Sequence, residues 1–192
     1  MLYINQLDYP HLKYNHNTLK GGPPEGRDTV KTSGCGLCCA CMVVDQLTDK
    51  SLGIEECVRL SEDSGANQWI GTSMKVLGNV LAEKYDLEFS YTKDVDEAIA
   101  HLGKGGRVIA LVGKDNEGNP GLFAKVAHYV LLLSYDGKEF CVLDPALTDV
   151  KYTEGEKAGR VRVNKPFVYA PKEEIEIATQ AQGIKYYLFS RK

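Results

Sequence analysis

The sequence lacks the features that mark membrane-spanning, exported and nucleic-acid-binding chains. No stretch approaches the roughly 18 consecutive apolar residues that a transmembrane helix requires, so no membrane span is predicted. The N-terminus, MLYINQLDYPHLKYN, has no apolar core behind a basic start, so no secretory signal is visible and we expect a cytoplasmic setting. The net charge is only −3 and no run of like charges occurs, which argues against nucleic acid as the main partner.

The chain also lacks internal repeats, low-complexity tracts and a convincing linker. Its 192 residues fit one ordinary domain, and 43% hydrophobic with 26% charged residues is a typical globular composition. A chain of this length buries enough apolar surface to fold without a metal or a disulfide. We therefore expect a single domain over residues 1–192, a monomer, with no cofactor.

The cysteines are poorly placed for a disulfide framework. Four of the six fall within seven residues, and neighbouring cysteines on one helix cannot adopt bridging geometry. With no export signal, reduced thiols are the default expectation. The six are Cys35, Cys38, Cys39, Cys41, Cys57 and Cys141.

Helices are predicted in the first half of the chain, after a loop-rich lead-in with at most one short strand at Leu2–Ile4. Thr32-Ser33-Gly34 offers a helix start, and the run Gly36–Leu47 is apolar on nearly every face, which predicts a buried helix. Further helices are predicted at Ile54–Ser61, Ser73–Tyr85 and Asp94–Leu102.

Strand-like segments follow Gly106. They are Val108–Val112, Ala127–Tyr135, Glu139–Asp144, Arg160–Val163 and Lys185–Ser190. Residues 145–182 are predicted as a loop with a short helix near Lys172–Thr179. Helices first and a mostly antiparallel sheet afterwards indicate an α+β fold, with the buried helix packed against the sheet.

Three residues carry candidate chemistry: Cys35 at the start of the buried helix, His128 on a hydrophobic strand and Asp144 at the end of the next strand. A nucleophilic cysteine must be a thiolate, and the first turn of a helix favours that form. A nearby imidazole can take the thiol proton, and a carboxylate can orient the imidazole.

The turn at Asp136-Gly137 decides whether imidazole and carboxylate meet. A two-residue loop places His128 opposite Pro145, with Asp144 on the other face. A three-residue loop pairs Ser134 with Lys138 and His128 with Asp144, with Gly137 in a left-handed conformation. We expect this second register, or a bulge with the same effect.

Each of these residues also has an ordinary structural interpretation. A cysteine at a helix start is usually a small buried hydrophobe, a strand histidine can bond a backbone carbonyl, and Asp-Pro is common in turns. Singly, these interpretations are favoured. The order, context and register of the three together favour catalysis.

Two segments resemble a known family. SGCGLCCACMV at 33–43 resembles the Ser-Gly-Cys-Gly-Pro-Thr-Ser-x-Ala-Met-Val segment of papain-like cysteine peptidases of the double-glycine-leader, or bacteriocin-processing, type. AHYVLLLSYDGKEFCVLDPA at 127–146 is similar to that family's histidine-to-Asp-Pro block, and WIGTSMKVLGNVLAEKYDLE at 69–88 to its Gly-Thr-Ser stretch. The resemblance implies a papain-like fold, with Cys35 as nucleophile, His128 as general base and acid, and Asp144 as its orienting residue.

The same resemblance implies further site residues. The family uses a glutamine upstream of the cysteine to complete an oxyanion hole, and Gln6 is the glutamine that precedes Cys35 here. The family's usual Trp after that glutamine is missing, so an exposed loop amide is an equal alternative for Gln6. Trp69 and Gly34 are the candidate substrate-binding residues, although a lone Trp is more often core.

A zinc site is the rival interpretation of the cysteines. Cys35-x-x-Cys38 and Cys38-x-x-Cys41 have zinc-ligand spacing, and His128 could join them. Zinc pairs normally sit on a knuckle loop with a distant second pair, and no second pair is visible. Cysteines within an apolar helix more often pack in the core, so no metal is expected.

The leading hypothesis is therefore a cysteine hydrolase, a peptidase that cleaves a peptide or protein substrate through a thioester. Two alternatives stay open at this point. The same triad also serves acyl transfer to an amine, and a catalytically silent peptide-binding domain could keep the fold.

Overall fold

The computed structural model describes residues 1–14, 26–68, 71–113 and 121–192. These residues form two compact units, Met1–Phe89 with Phe189–Lys192 and Ser90–Leu188. The boundary between the units falls within two strands, Leu87–Thr92 and Tyr186–Arg191. The expectation of a single domain stays a prediction. No helix within the described ranges has the length and apolar character needed to cross a membrane.

The first unit contains the helical half of the chain. A 3-10 turn covers Gln6–Asp8, and residues 2–4, where at most one short strand was predicted, form none. The helices are α1 Val30–Ser33, α2 Cys35–Leu47, α3 Ile54–Asp63 and α4 Met74–Tyr85, and a small antiparallel pair joins β1 Asn67–Gln68 to β2 Gly71–Thr72.

Helix α2 is the centre of this unit. Residues 36–44 are all buried, because the small and apolar side chains of GLCCACMVV leave the helix no polar face. It contacts α3, α4 and β2. The prediction of a buried helix at 36–47 is confirmed.

The second unit is built on a sheet. Its strands, with the two that cross the unit boundary, are β3 Leu87–Thr92, β4 Arg107–Val112, β5 His128–Tyr135, β6 Glu139–Leu143, β7 Arg162–Asn164, β8 Phe167–Pro171 and β9 Tyr186–Arg191. Among the described residues their order is β3-β9-β4-β5-β6-β8-β7. The pairs β4–β5, β5–β6, β6–β8 and β8–β7 are antiparallel.

Among the described residues of this unit, helices lie against the sheet at two places. Helix α5, Val95–Gly103, contacts β4 and β5, and Asp94 caps it by accepting the N–H of Asp96 at 2.8 Å. Helix α6, Lys172–Thr179, contacts β4 and β8 and lies where a short helix was predicted. The α+β class is confirmed, whereas β3 and β8 were not among the predicted strands.

Candidate functional site

Cys35 is the first residue of α2, directly after the N-cap residue Gly34. Its thiol is half-buried and not part of a disulfide. The N-terminal end of a helix carries partial positive charge, which favours a thiolate there. The sequence therefore places this cysteine where a helix can activate it.

Four of the other thiols lie in a less favourable environment for reaction. Cys38, Cys39, Cys41 and Cys57 are fully buried. Burial raises the pKa of Cys38 well above its ordinary value. A hydrogen bond with Cys41, together with burial, does the same to Cys57. These thiols behave as small core residues.

Gly34 has a steric reason for being glycine. A Cβ atom at this position would lie 2.5 Å from Val30 Cγ1 and 2.6 Å from the Val30 carbonyl oxygen. The Gly34 N–H donates to that same carbonyl at 2.7 Å, and its own carbonyl accepts from the Cys38 N–H at 3.0 Å. Gly34 thus lets the short α1 run directly into α2 and sets the position of Cys35.

The side chain of Gln6 is hydrogen-bonded to α1, the short helix that precedes Cys35. Its Nε2 donates to the Lys31 carbonyl at 2.7 Å, and the side chain is 7% exposed. An amide nitrogen carries two N–H bonds, so one is left for another acceptor. Its Oε1 is buried and has no hydrogen-bond partner among the described residues. The interpretation of Gln6 as an exposed loop amide is wrong.

His128 and Asp144 form a buried hydrogen-bonded pair. His128 is the first residue of β5, where it pairs with Val112 of β4. Asp144 directly follows β6. The distance from His128 Nε2 to Asp144 Oδ1 is 2.8 Å, and the two side chains are 7% and 0% exposed.

The hairpin that brings them together differs from the predicted one. Ser134 pairs with Cys141, so the expected pairing of Ser134 with Lys138 is wrong. The physical reason is the carboxylate of Asp136, which accepts the N–H groups of Lys138 at 2.8 Å and Glu139 at 2.7 Å and holds a longer turn.

A β-bulge in β5 nevertheless brings His128 and Asp144 to the same face of the sheet, as predicted. Beyond the extra residue, Leu133, the register shifts and Leu131 pairs with Leu143. Because strand side chains alternate between faces, this register puts His128 and Asp144 on one face. The turn-side register, continued without the bulge, would put them on opposite faces. The bulge therefore makes the contact possible.

Asp144 accepts hydrogen bonds on both oxygens. Besides His128, Oδ1 accepts the N–H of Ala146 at 2.9 Å. Oδ2 accepts from Lys151 Nζ at 2.6 Å and from the Tyr152 hydroxyl at 2.5 Å. Burial alone would raise the pKa of Asp144, but the charge of Lys151 and the hydrogen bond from His128 outweigh it and lower the pKa well below the ordinary carboxyl value.

Lys151 and Tyr152 were missed by the sequence reasoning. They lie in residues 145–182, where neither periodicity nor a motif marks individual side chains. A lysine and a tyrosine a few residues after an Asp-Pro turn are too common to serve as a signal on their own.

The candidate residues divide between the two units. Gln6, Gly34 and Cys35 belong to the first, and His128 and Asp144 to the second. Trp69 lies outside the described residues. In the described part of the chain, no three His, Cys, Asp or Glu side chains gather as a potential metal-ligand set.

Comparison with known proteins gives a fold but no sequence family. The sequence matches no protein-family model, and a search of curated proteins found no similar sequence. A solved structure with a similar fold is that of a "putative C39-like peptidase" from Bacillus anthracis, with a TM-score of 0.57 and 15% identity. The match covers 83% of this chain and 89% of that one. The chain thus shares its mixed helical and antiparallel fold with that structure.

Proposed function

We propose that the chain is a papain-like cysteine hydrolase, related to the double-glycine-leader peptidases, that cleaves a peptide or a related amide. The observation that carries the proposal is the buried hydrogen bond between His128 and Asp144 at 2.8 Å. Support comes from Cys35, which begins a buried helix, and from the likeness in fold to a C39-like peptidase.

The pair assigns distinct roles to the two ring nitrogens. A carboxylate only accepts hydrogen bonds, so the contact with Asp144 favours the proton on Nε2 of His128. Nδ1 is then the basic atom of the neutral ring. In the proposed reaction, Nδ1 takes the proton of the Cys35 thiol and Asp144 stabilises the resulting imidazolium.

The bond changes follow from that arrangement. The thiolate sulfur bonds to the substrate carbonyl carbon, and the C–N bond then breaks as His128 returns its proton to the leaving amine. Water, deprotonated by His128, next attacks the thioester, which releases the acid and restores the thiol. The second N–H of the Gln6 amide and the Cys35 backbone N–H are the proposed donors to the oxyanion.

Gln6 offers a quantitative test of that last role. Loss of one oxyanion donor costs about 100-fold in turnover, so Gln6→Ala is expected to lower turnover by about that factor. Alkylation of Cys35 by iodoacetamide, which forms no oxyanion, should change little. Turnover equal to that of the unmodified protein would leave Gln6 with a structural role.

The proposed function is tested with a cysteine-directed activity probe, an acyl-peptide carrying an electrophile in place of the scissile amide. The probe should label the unmodified protein and a Cys141→Ala control, but neither Cys35→Ala nor His128→Ala. Peptide-library profiling, with and without an added primary amine, then separates hydrolysis from acyl transfer. Labelling that persists in Cys35→Ala would reject the proposal, and a protein that takes up no probe would be a silent binding domain.

A further inference from the structure

Oδ2 of Asp144, on the side of the carboxylate that does not contact His128, accepts hydrogen bonds from two groups, as Oδ1 does. Lys151 Nζ lies 2.6 Å from Oδ2 and 3.2 Å from the Ala146 carbonyl oxygen. The side chain of Lys151 is 12% exposed, which is little for an ammonium group. Burying that charge is unfavourable unless it is paired, so Asp144 and Lys151 hold each other in place.

Tyr152 completes this side. Its side chain is buried, and its ring packs edge-on against Phe123, with centroids 6.1 Å apart and planes at 73°. The hydroxyl donates to Oδ2 at 2.5 Å. Lys151 and Tyr152 therefore hold Oδ2 in place. If the carboxylate rotated to turn Oδ1 away from His128, both of these hydrogen bonds would break.

We infer that Lys151 is a positioning residue of the candidate site, which orients the carboxylate of Asp144 toward His128. Its positive charge also offsets part of the negative charge of Asp144, and so weakens the hold of that carboxylate on the imidazole proton. The inference deepens the proposed function and rests on it for its catalytic meaning. The link from Lys151 through Asp144 to His128 can be measured as a change in the pKa of His128, without an assay of turnover.

Lys157 is a further charged group near Asp144 and Lys151. Burial and the charge of Lys151 lower the pKa of Lys157, against the opposing effect of Asp144, which places Lys157 within electrostatic reach of both. On β4 the residue paired with His128 is the uncharged Val112. Lys125 and Arg160 also lower the pKa of Lys157. The ionisable side chains of α5, which contacts β4 and β5, are Asp96, Glu97 and His101, and Asp96 is paired with Lys172 on the surface.

The deciding experiment follows the titration of His128 by NMR in the full-length chain, with its signals assigned by His128→Gln. Neutral substitutions at Lys151 remove a positive charge from the vicinity of the imidazole, while the Ala146 N–H and the Tyr152 hydroxyl still hold the carboxylate of Asp144 beside it. Lys151→Met and Lys151→Gln should therefore raise the pKa of His128 by about one unit. Lys151→Arg, which keeps the charge, should stay near the original value. The matched control is Lys172→Met, since Lys172 pairs with Asp96 at 2.7 Å on the surface.

A double-mutant cycle separates positioning from packing. Asp144→Asn replaces a carboxylate with an amide, which has one acceptor oxygen in place of two, while the four groups that donate to Asp144 remain. Its melting temperature should fall, and adding Lys151→Met should recover part of the loss. An unchanged or lowered pKa of His128 in both folded neutral variants would overturn the inference. The inference would also be overturned if both neutral variants unfold and adding Asp144→Asn does not restore folding, because Lys151 would then act by packing alone.

If the probe experiment fails while the His128 titration shifts as expected, the proposed function fails and the coupling stands. If the probe reacts and the titration does not move, the enzyme assignment stands and the role of Lys151 fails.

Discussion

At the scale of single residues, Asp144 accepts four hydrogen bonds while its side chain is 0% exposed. Its contact with His128 was predicted from the hairpin, through a three-residue loop or a bulge with the same effect, and the bulge is what the structure has. The contacts with Lys151 and Tyr152 depend on the path of an irregular loop and on long side chains folding back, and neither leaves a pattern in the sequence.

The lowered pKa of Asp144 makes a prediction about stability and pH. Because the folded-state pKa lies below the unfolded value of about 3.9, the ionised carboxylate contributes stability that is present above that value and is lost as the pH falls below it. The midpoint of urea unfolding should therefore drop more steeply between about pH 5 and pH 2 in the unmodified protein than in Asp144→Asn. Parallel pH curves for the two proteins would contradict this.

Gly34 supports a second prediction at this scale. Gly34→Ala forces a Cβ within 2.6 Å of the Val30 carbonyl oxygen, so α1 or α2 must shift. We expect a loss of about 1–3 kcal/mol in the free energy of unfolding, measured in urea, and slower alkylation of Cys35. The control is Gly103→Ala, where a Cβ meets nothing within 4 Å. Equal stability of the two variants would show that the junction is not tight.

At the scale of elements, helices were easier to predict than strand pairing. The apolar runs of α2 and α4 and the capping residue Asp94 are local signals, and the structure has these helices within a residue or two of the predicted bounds. The bulge at Leu133 carries no comparable signal, because one extra residue in an apolar strand changes neither composition nor period. Turn length alone therefore predicts the wrong strand register here.

The turn between β5 and β6 gives the prediction for this scale. Gly137 has a φ of 97°, as expected for a left-handed residue, and a Cβ there would meet nothing within 4 Å. Gly137→Ala should thus cost about 1 kcal/mol through backbone conformation alone. The Gly103→Ala change on α5 should be neutral or slightly stabilising. Thermal unfolding of both variants measures the difference, and equal melting temperatures would argue against strain at the turn.

At the scale of the whole molecule, the candidate residues come from both compact units. The sequence predicted Cys35, His128 and Asp144 as a set, and the structure adds the buried pair and its cationic partner within the second unit. The central proposal is that the imidazole of His128 activates the thiol of Cys35.

The most direct measurement is the pH dependence of iodoacetamide labelling, read by peptide mapping. At about pH 6 an ordinary thiol with a pKa near 8.5 is under about one per cent ionised. Burial raises the pKa of Cys38 and that of Cys141, and a hydrogen bond with Cys41 together with burial raises that of Cys57, so none of these should react early.

Cys35 should be labelled first at that pH, and His128→Ala should move its labelling to higher pH, because the thiolate loses its counter-charge. His101→Ala, which alters a histidine of α5 in the same unit as His128, is the matched control and should leave the profile unchanged. Labelling of Cys57 or Cys141 before Cys35, or a Cys35 profile indifferent to His128, would contradict the account and remove the nucleophile assignment.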